Sequence, residues 1–245
     1  MVGLTTYRLP ILRGSAGALI ACVVSDTGQP SRLPESIVGR MADSPEGPLD
    51  RFVLSSAGFE RRLRAVRPGQ WAWPTPCTEW NVRRLVNHMT RGNLNYVGLL
   101  QGGTSEEFLR LRDADALGTD PVGAYARSAE ECAEAFAAPG ALERILDYPL
   151  GKVAGRQALA VRTTDATVHT WDLARAIGVD DVLDAGLVTW IDDHLEDIYA
   201  GLAETPVAVD TTHRFFAAPE GVLAADASRQ DRLLRRMGRT PAQGR

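Results

Sequence analysis

The chain has 245 residues, 44% of them hydrophobic and 24% charged, which suits one soluble globular domain or a domain with a small appendage. Its net charge of −4 excludes the basic footprint of a general nucleic-acid binder. Three widely spaced cysteines, Cys22, Cys77 and Cys132, exclude a disulfide framework and a cysteine-built zinc finger, and fit a reducing cytoplasm.

Residues 1–40 carry a charge of +2 against −6 for the rest, and residues 25–48 are rich in Ser, Gly and Pro without helical period. Residues 1–47 therefore read as a disordered extension, or as the product of a start assigned upstream of Met41. The apolar run Gly14–Val24 is too short to span a bilayer, so membrane insertion is not expected. The alternative for this region is a lipoprotein signal. Arg8 and Arg13 precede the run, and Leu19-Ile20-Ala21-Cys22 has the form of a cleavage box that would attach lipid through Cys22.

Residues 48–203 read as a helical bundle. Phe52, Val53, Phe59, Leu63 and Val66 mark a first helix from Pro48, ended by Arg67-Pro68-Gly69. Pro74 and Pro76 keep the next stretch extended. Thr78 is the expected cap of a second helix, with Asn81 at its third position and a buried stripe of Val82, Leu85, Val86, Met89, Tyr96 and Leu100. Asp120-Pro121 opens a third helix with the face Val122, Tyr125, Ala129, Cys132 and Phe136. A turn-rich connector over 147–155 leads to a fourth helix, from about Arg156 to Ile177, closed by Gly178. Leu187, Ile191, Leu195, Ile198 and Leu202 mark a fifth. Residues 204–245 form a small C-terminal appendage, α or α/β, with a final helix over about 226–237 and room for a strand within 206–216.

Chemistry concentrates on the fourth helix. Asp165 and His169 are four residues apart, so both project from one face, and Asp172 follows three residues later. His88 lies beside the apolar stripe of the second helix. Two imidazoles and a carboxylate from facing helices form a three-ligand set with an open position, the pattern of catalytic zinc. Spacing alone also fits an intrahelical hydrogen bond and a packed histidine. Cys77 reads as a small packing residue, and Trp71, Trp73, Trp80 and Trp171 as core and hinge aromatics. His194 borders an acidic helix face and reads as surface.

The stretch Trp73-Pro74-Thr75-Pro76-Cys77-Thr78-Glu79-Trp80-Asn81-Val82-Arg83-Arg84-Leu85-Val86-Asn87-His88 resembles the N-terminal signature of the mycothiol-dependent maleylpyruvate isomerase family, within the DinB-like metal-binding four-helix bundles. The block Val168-His169-Thr170-Trp171-Asp172-Leu173-Ala174-Arg175-Ala176-Ile177-Gly178 resembles its second signature. Residues 225–234 with Gly238-Arg239 resemble a subgroup described only as metal-binding. The resemblance implies a mainly all-α DinB-like four-helix bundle. It also implies a divalent ion, usually zinc, held by His88, Asp165 and His169. Asp165 stands where the family's isomerases have glutamate.

By the same resemblance, mycothiol would be the thiol cofactor filling the open position. Its thiolate would attack an electrophilic substrate, giving cis–trans isomerisation or S-transfer. A C-terminal arginine would hold an acidic substrate, and Arg214, Arg232 and Arg239 are the candidates. The alternative from another class is a non-catalytic bundle that binds a metal or small ligand. Expected partners are thus a small-molecule thiol and an electrophile rather than nucleic acid, and the chain is expected as a monomer or homodimer.

Overall fold

The computed structural model describes residues 23–24, 30–31, 47–77, 80–202 and 226–240. Two compact units divide the chain at Ser44/Pro45. In the first, β1 (Val23–Val24) pairs antiparallel with β2 (Pro30–Ser31). Apart from these strands and Gly47, the extension expected over 1–47, with its cleavage box at Cys22 and the start at Met41, lies outside the described residues, as do the strand expected within 206–216 and Arg214.

The second unit is mainly helical. Its helices are α1 (Pro48–Leu63), α2 (Val82–Leu100), α3 (Ser105–Leu111), α4 (Pro121–Ala137), α5 (Gly155–Ile177), α6 (Ala185–Ile198) and α7 (Arg229–Arg236). A hairpin of β3 (Ile145–Tyr148) and β4 (Gly151–Ala154) joins α4 to α5. Among the described residues no helix is long and apolar enough to cross a membrane.

The bundle is a ring. α1 packs on α5 and α4, and α2 packs on the same two helices, so α5 and α4 face each other across the core. One core cluster joins Phe59, Leu63, Val82, Leu85, Val86, Met89, Tyr125, Ala166 and Leu173. A second gathers Phe52, Tyr96, Cys132, Phe136, Leu146, Leu159 and Val161 around the hairpin. A third seats α7 against α5 and α6 through Val168, Trp171, Ile191, Leu195, Leu233, Leu234 and Met237. The expected stripe of α2 is buried throughout, whereas Val53 of α1 is exposed.

α5 is buried on nearly every side although it carries many polar residues. Four threonines resolve that conflict by turning their hydroxyls back on their own helix. Thr163, Thr164, Thr167 and Thr170 donate to the carbonyls of Leu159, Ala160, Thr163 and Ala166 at 2.7–3.0 Å. Gly178, at φ +72°, ends the helix in the left-handed conformation that a side chain would strain.

Three expectations are corrected. The cap of α2 is Asn81, whose Oδ1 accepts from the Arg84 amide at 2.9 Å; Thr78 lies outside the described residues. The connector over 147–155 contains strand β4 and the junction with α5, because residues 145–148 and 151–154 satisfy their backbone groups by cross-strand pairing. α3 was not expected: Thr104 caps it, accepting from the Glu107 amide at 3.2 Å, while Glu107 accepts from the Thr104 amide at 3.1 Å. The final helix is the expected one, shortened to Arg229–Arg236 and capped by Ser228.

Candidate metal centre

The three expected ligands meet. Nε2 of His88 on α2 lies 3.3 Å from Oδ2 of Asp165 on α5, and Nε2 of His169 lies 3.1 Å from Oδ1 of the same carboxylate. One ligand atom from each residue lies within 4.8 Å of the others. Tetrahedral zinc with N and O bonds near 2.0–2.1 Å separates its ligand atoms by about 3.3 Å. The donor set, two imidazole nitrogens and a carboxylate oxygen, suits a borderline-soft divalent cation. The residues present therefore fit such an ion.

Two of the three candidate ligands are held from behind. Arg162, one turn before Asp165 and 1% exposed, donates Nη1 to Asp165 Oδ2 at 2.6 Å and Nε to Asn93 Oδ1 at 2.8 Å. Its Nη2 donates to the Met89 carbonyl. Nδ1 of His169 lies 2.8 Å from Oδ2 of Asp172, which is fully buried. Arg239, just beyond α7, donates Nη2 to that oxygen at 2.6 Å and Nε to Oδ1 at 3.0 Å.

The loop before α2 folds over this face. Prolines 74 and 76 deny it helix. Thr75 ties it, with Oγ1 donating to the carbonyls of Cys77 and Trp80 at 3.1 and 2.9 Å. Trp80 thereby stands against both imidazoles, its ring centroid 4.5 Å from His88 and 5.6 Å from His169. Cys77 departs from expectation. It does not pack among apolar side chains; its thiol donates to Asp172 Oδ2 at 3.2 Å and accepts from Arg239 Nη2 at 3.1 Å. Trp73 is exposed and Trp80 lines the centre, so of the four expected structural tryptophans only Trp171 is deeply buried.

Cys77, His169 and Asp172 also cluster within ligand distance of one another. There, however, the Arg239 guanidinium already contacts both the carboxylate and the sulfur. Arg239 takes both oxygens of Asp172 as well as the sulfur, whereas Arg162 takes only Oδ2 of Asp165 and leaves Oδ1 facing His169, so the trio built on His88 is the better cation site.

The electrostatics are those of charges held together in a buried place. Burial works against the charged forms of Asp165 and His169, but their mutual attraction, with His88 beside the carboxylate, outweighs it. Asp165 is held well below the usual carboxylate range and His169 well above the usual histidine value. His88 goes the other way, because burial lowers its pKa more than Asp165 raises it. Burial also opposes charge on Asp172, yet hydrogen bonding from His169 and the charge of Arg239 bring it down to about 2.

A cavity of about 90 Å³ opens at His88, lined by Trp80, Arg84, Asn87, Arg112 and Asp113. A larger one, about 230 Å³, lies between α1, α5 and residues 180–187 and touches none of the three candidate ligands. Neither Arg232 nor Arg239 lines the cavity at His88. Arg232 donates to the Ala227 carbonyl, and Arg239 is committed to Asp172. His194 is exposed, as expected, and rests on Trp190.

Sequence reasoning missed Arg162 although a signal was present. Arg162, Asp165, His169 and Asp172 follow one another at spacings of three and four, a polar stripe along one face of a helix otherwise bound for the core.

Residues 52–174 match the family described as the mycothiol maleylpyruvate isomerase N-terminal domain, a span that contains all three candidate ligands. Two uncharacterized proteins of Mycobacterium tuberculosis, from strains CDC 1551 and H37Rv, are each 36% identical over 140 residues, covering 57% of this chain and 72% of theirs. The crystal structure of the mycothiol-dependent maleylpyruvate isomerase aligns with a TM-score of 0.48 at 15% identity. A histidine-to-alanine mutant of it aligns with a TM-score of 0.50 at 14% identity; each alignment covers 62% of this chain and 70% of the other. The second alignment carries the fold, a mainly helical bundle like that of the isomerase. By the match over residues 52–174, this chain belongs to the mycothiol maleylpyruvate isomerase N-terminal domain family.

Proposed function

We propose that the chain binds a divalent ion, zinc by its mixed N/O donor set, through His88, Asp165 and His169, and uses it with mycothiol as an isomerase or S-transferase acting on an electrophilic substrate. One observation carries the reading: the three ligand atoms lie within 4.8 Å of one another, and His88 among them lines a cavity. Three protein ligands leave a tetrahedral ion one open position, the mark of a catalytic site. With an ion in place the centre would lower the pKa of a thiol presented there and hold it as a thiolate at neutral pH.

The chain's own residues do the rest. Asp172 keeps the proton of His169 on Nδ1, so Nε2 offers its lone pair to the cation. Trp80 covers both imidazoles and limits water at the centre. Arg84 and Arg112 line the cavity, with Arg112 paired to Asp113 at 2.9 Å, and the net positive charge that remains favours a substrate or cofactor bearing negative charge. The family match supports mycothiol as the thiol.

The test is thermal stability of the zinc-loaded protein with mycothiol and with its S-methyl analogue. A ligand at a hundredfold excess over its dissociation constant stabilises by about 2.7 kcal/mol. The thiol is expected to raise Tm and the analogue to do so far less, with both effects lost in His88→Ala. Equal stabilisation by the two would show that sulfur does not reach the centre, and would favour a non-catalytic metal- or ligand-binding bundle.

A further inference from the structure

We propose that Asp172 and Arg239 are a positioning pair for His169, through which the segment following α7 sets the affinity of the centre for its ion. The inference rests on the metal reading above.

Asp172 is fully buried, and every contact described for its two oxygens comes from a donor. Oδ2 receives His169 Nδ1 at 2.8 Å, Arg239 Nη2 at 2.6 Å and the Cys77 thiol at 3.2 Å; Oδ1 receives Arg239 Nε at 3.0 Å. A carboxylate in that setting can only accept, so Asp172 holds a proton on Nδ1 at 2.8 Å, the shorter of the ring's two carboxylate contacts. Nε2, 3.1 Å from Asp165, is then the nitrogen that gives its lone pair when a cation takes up that carboxylate. The tautomer needed for metal binding is thus fixed by Asp172, and Asp172 in turn is fixed by a two-pronged guanidinium.

Arg239 reaches Asp172 because α7 is docked. Leu233, Leu234 and Met237 are buried against α5 and α6, and Arg229 and Arg236 bridge to Asp192, Asp193 and Glu196 on α6. The Met237 carbonyl accepts Arg239 Nη1 at 2.9 Å and turns the guanidinium inward. A residue 67 positions from Asp172 and 162 from Cys77 thereby completes the support of a ligand on α5.

The pair is tested in full-length Asp172→Asn, Arg239→Met and Arg239→Lys, with Arg236→Met as a control that removes ion pairs at the rim of α7 while Leu233, Leu234 and Met237 keep the helix docked and Asp172 is untouched. Zinc affinity is measured by chelator competition, alongside the Tm of the metal-free protein and the 15N–1H ring spectrum of His169 in the metal-free protein at alkaline pH, where the ring is neutral. An asparagine facing Arg239 with its oxygen turns its amide N–H toward His169, which then accepts at Nδ1 and carries its proton on Nε2. Asp172→Asn is therefore expected to move the ring proton to Nε2 and to weaken zinc binding about tenfold to a hundredfold. Arg239→Met should fall in the same range, Arg239→Lys between it and wild type, and Arg236→Met should lower Tm with zinc affinity retained.

Wild-type zinc affinity in folded Asp172→Asn and Arg239→Met, or an unchanged ring tautomer in Asp172→Asn, would overturn the proposal. Should Asp172→Asn fail to fold, the affinity of Arg239→Lys decides. Should wild type bind no zinc, the metal reading fails while the ring spectra still judge the pair.

Discussion

Arg162 and Asp165 share one helix face, with guanidinium Nη1 2.6 Å from carboxylate Oδ2, and Arg162 is among the most deeply buried side chains of the described residues. Its other donors are also engaged, by the Asn93 side chain and the Met89 carbonyl of α2. One arginine thus ties α5 to α2 and orients the carboxylate that bridges the two histidines.

Arg162→Met keeps the bulk and removes the charge. Breaking a buried pair costs about 3–5 kcal/mol, and the lower figure is expected because Asp165 is partly accessible and keeps its two imidazoles. Urea denaturation of the metal-free protein checks it. A loss under about 0.5 kcal/mol, the range of neutral surface changes, would remove Arg162 from the frame of the centre.

Gly92→Ala tests the same arginine from the opposite helix. A Cβ at Gly92 would stand 2.7 Å from Nη1 and 2.9 Å from Cζ of Arg162. An arginine tip in solvent would swing away at little cost, but this one is held by three hydrogen-bonding partners in the core. The methyl group is expected to destabilise by about 1–3 kcal/mol, as overpacking does, and combining it with Arg162→Met should cost less than the two single changes added together. Strict additivity would mean that the methyl group meets something else.

These residues also show what was legible in the chain. The bundle could be read because α1, α2 and α4 each bury an apolar stripe of helical period, and because Asp120-Pro121 and Gly178 mark ends by local chemistry. The proximity of Asp165 and His169 was legible for a related reason: their four-residue spacing is itself a geometric statement. Arg239 and Cys77 were not, since each meets Asp172 only through tertiary packing. The hairpin was hidden because four-residue strands leave too short an alternation to separate from a turn. Thr78 was favoured over Asn81 as a cap because both are good caps, and only the amide that each can reach decides.

Asp192 gives a pH-dependent prediction. Partial burial would raise its pKa, but hydrogen bonds from Arg229 and Arg236 outweigh it, so the folded value lies below the ordinary one of about 4. A depressed carboxylate contributes stability that is present above the unfolded pKa and lost as pH falls through the folded one. The Tm difference between wild type and Asp192→Asn should be constant from neutral pH to about 5, then shrink as pH drops below about 4. A difference that persists unchanged to pH 2.5 would show that the two arginines do not act on α7 docking through this charge.

Metal removal tests the centre itself. About one divalent ion per chain is expected from His88, Asp165 and His169, and His88→Ala and His169→Ala should each lose it by elemental analysis. Chelation should lower the Tm of wild type, because an ion that binds only the folded state stabilises by mass action, about 2.7 kcal/mol at a hundredfold excess over its dissociation constant. Chelation should leave both alanine variants unmoved, since two remaining ligands hold an ion too weakly to shift folding. The second half of the comparison matters most. Asp165 gains from both histidines without any ion, so an alanine variant can lose stability for that reason alone. Only the response to chelator separates the two causes. Equal metal content in wild type and His169→Ala, or a chelator response that survives in both variants, would move the ion to another site.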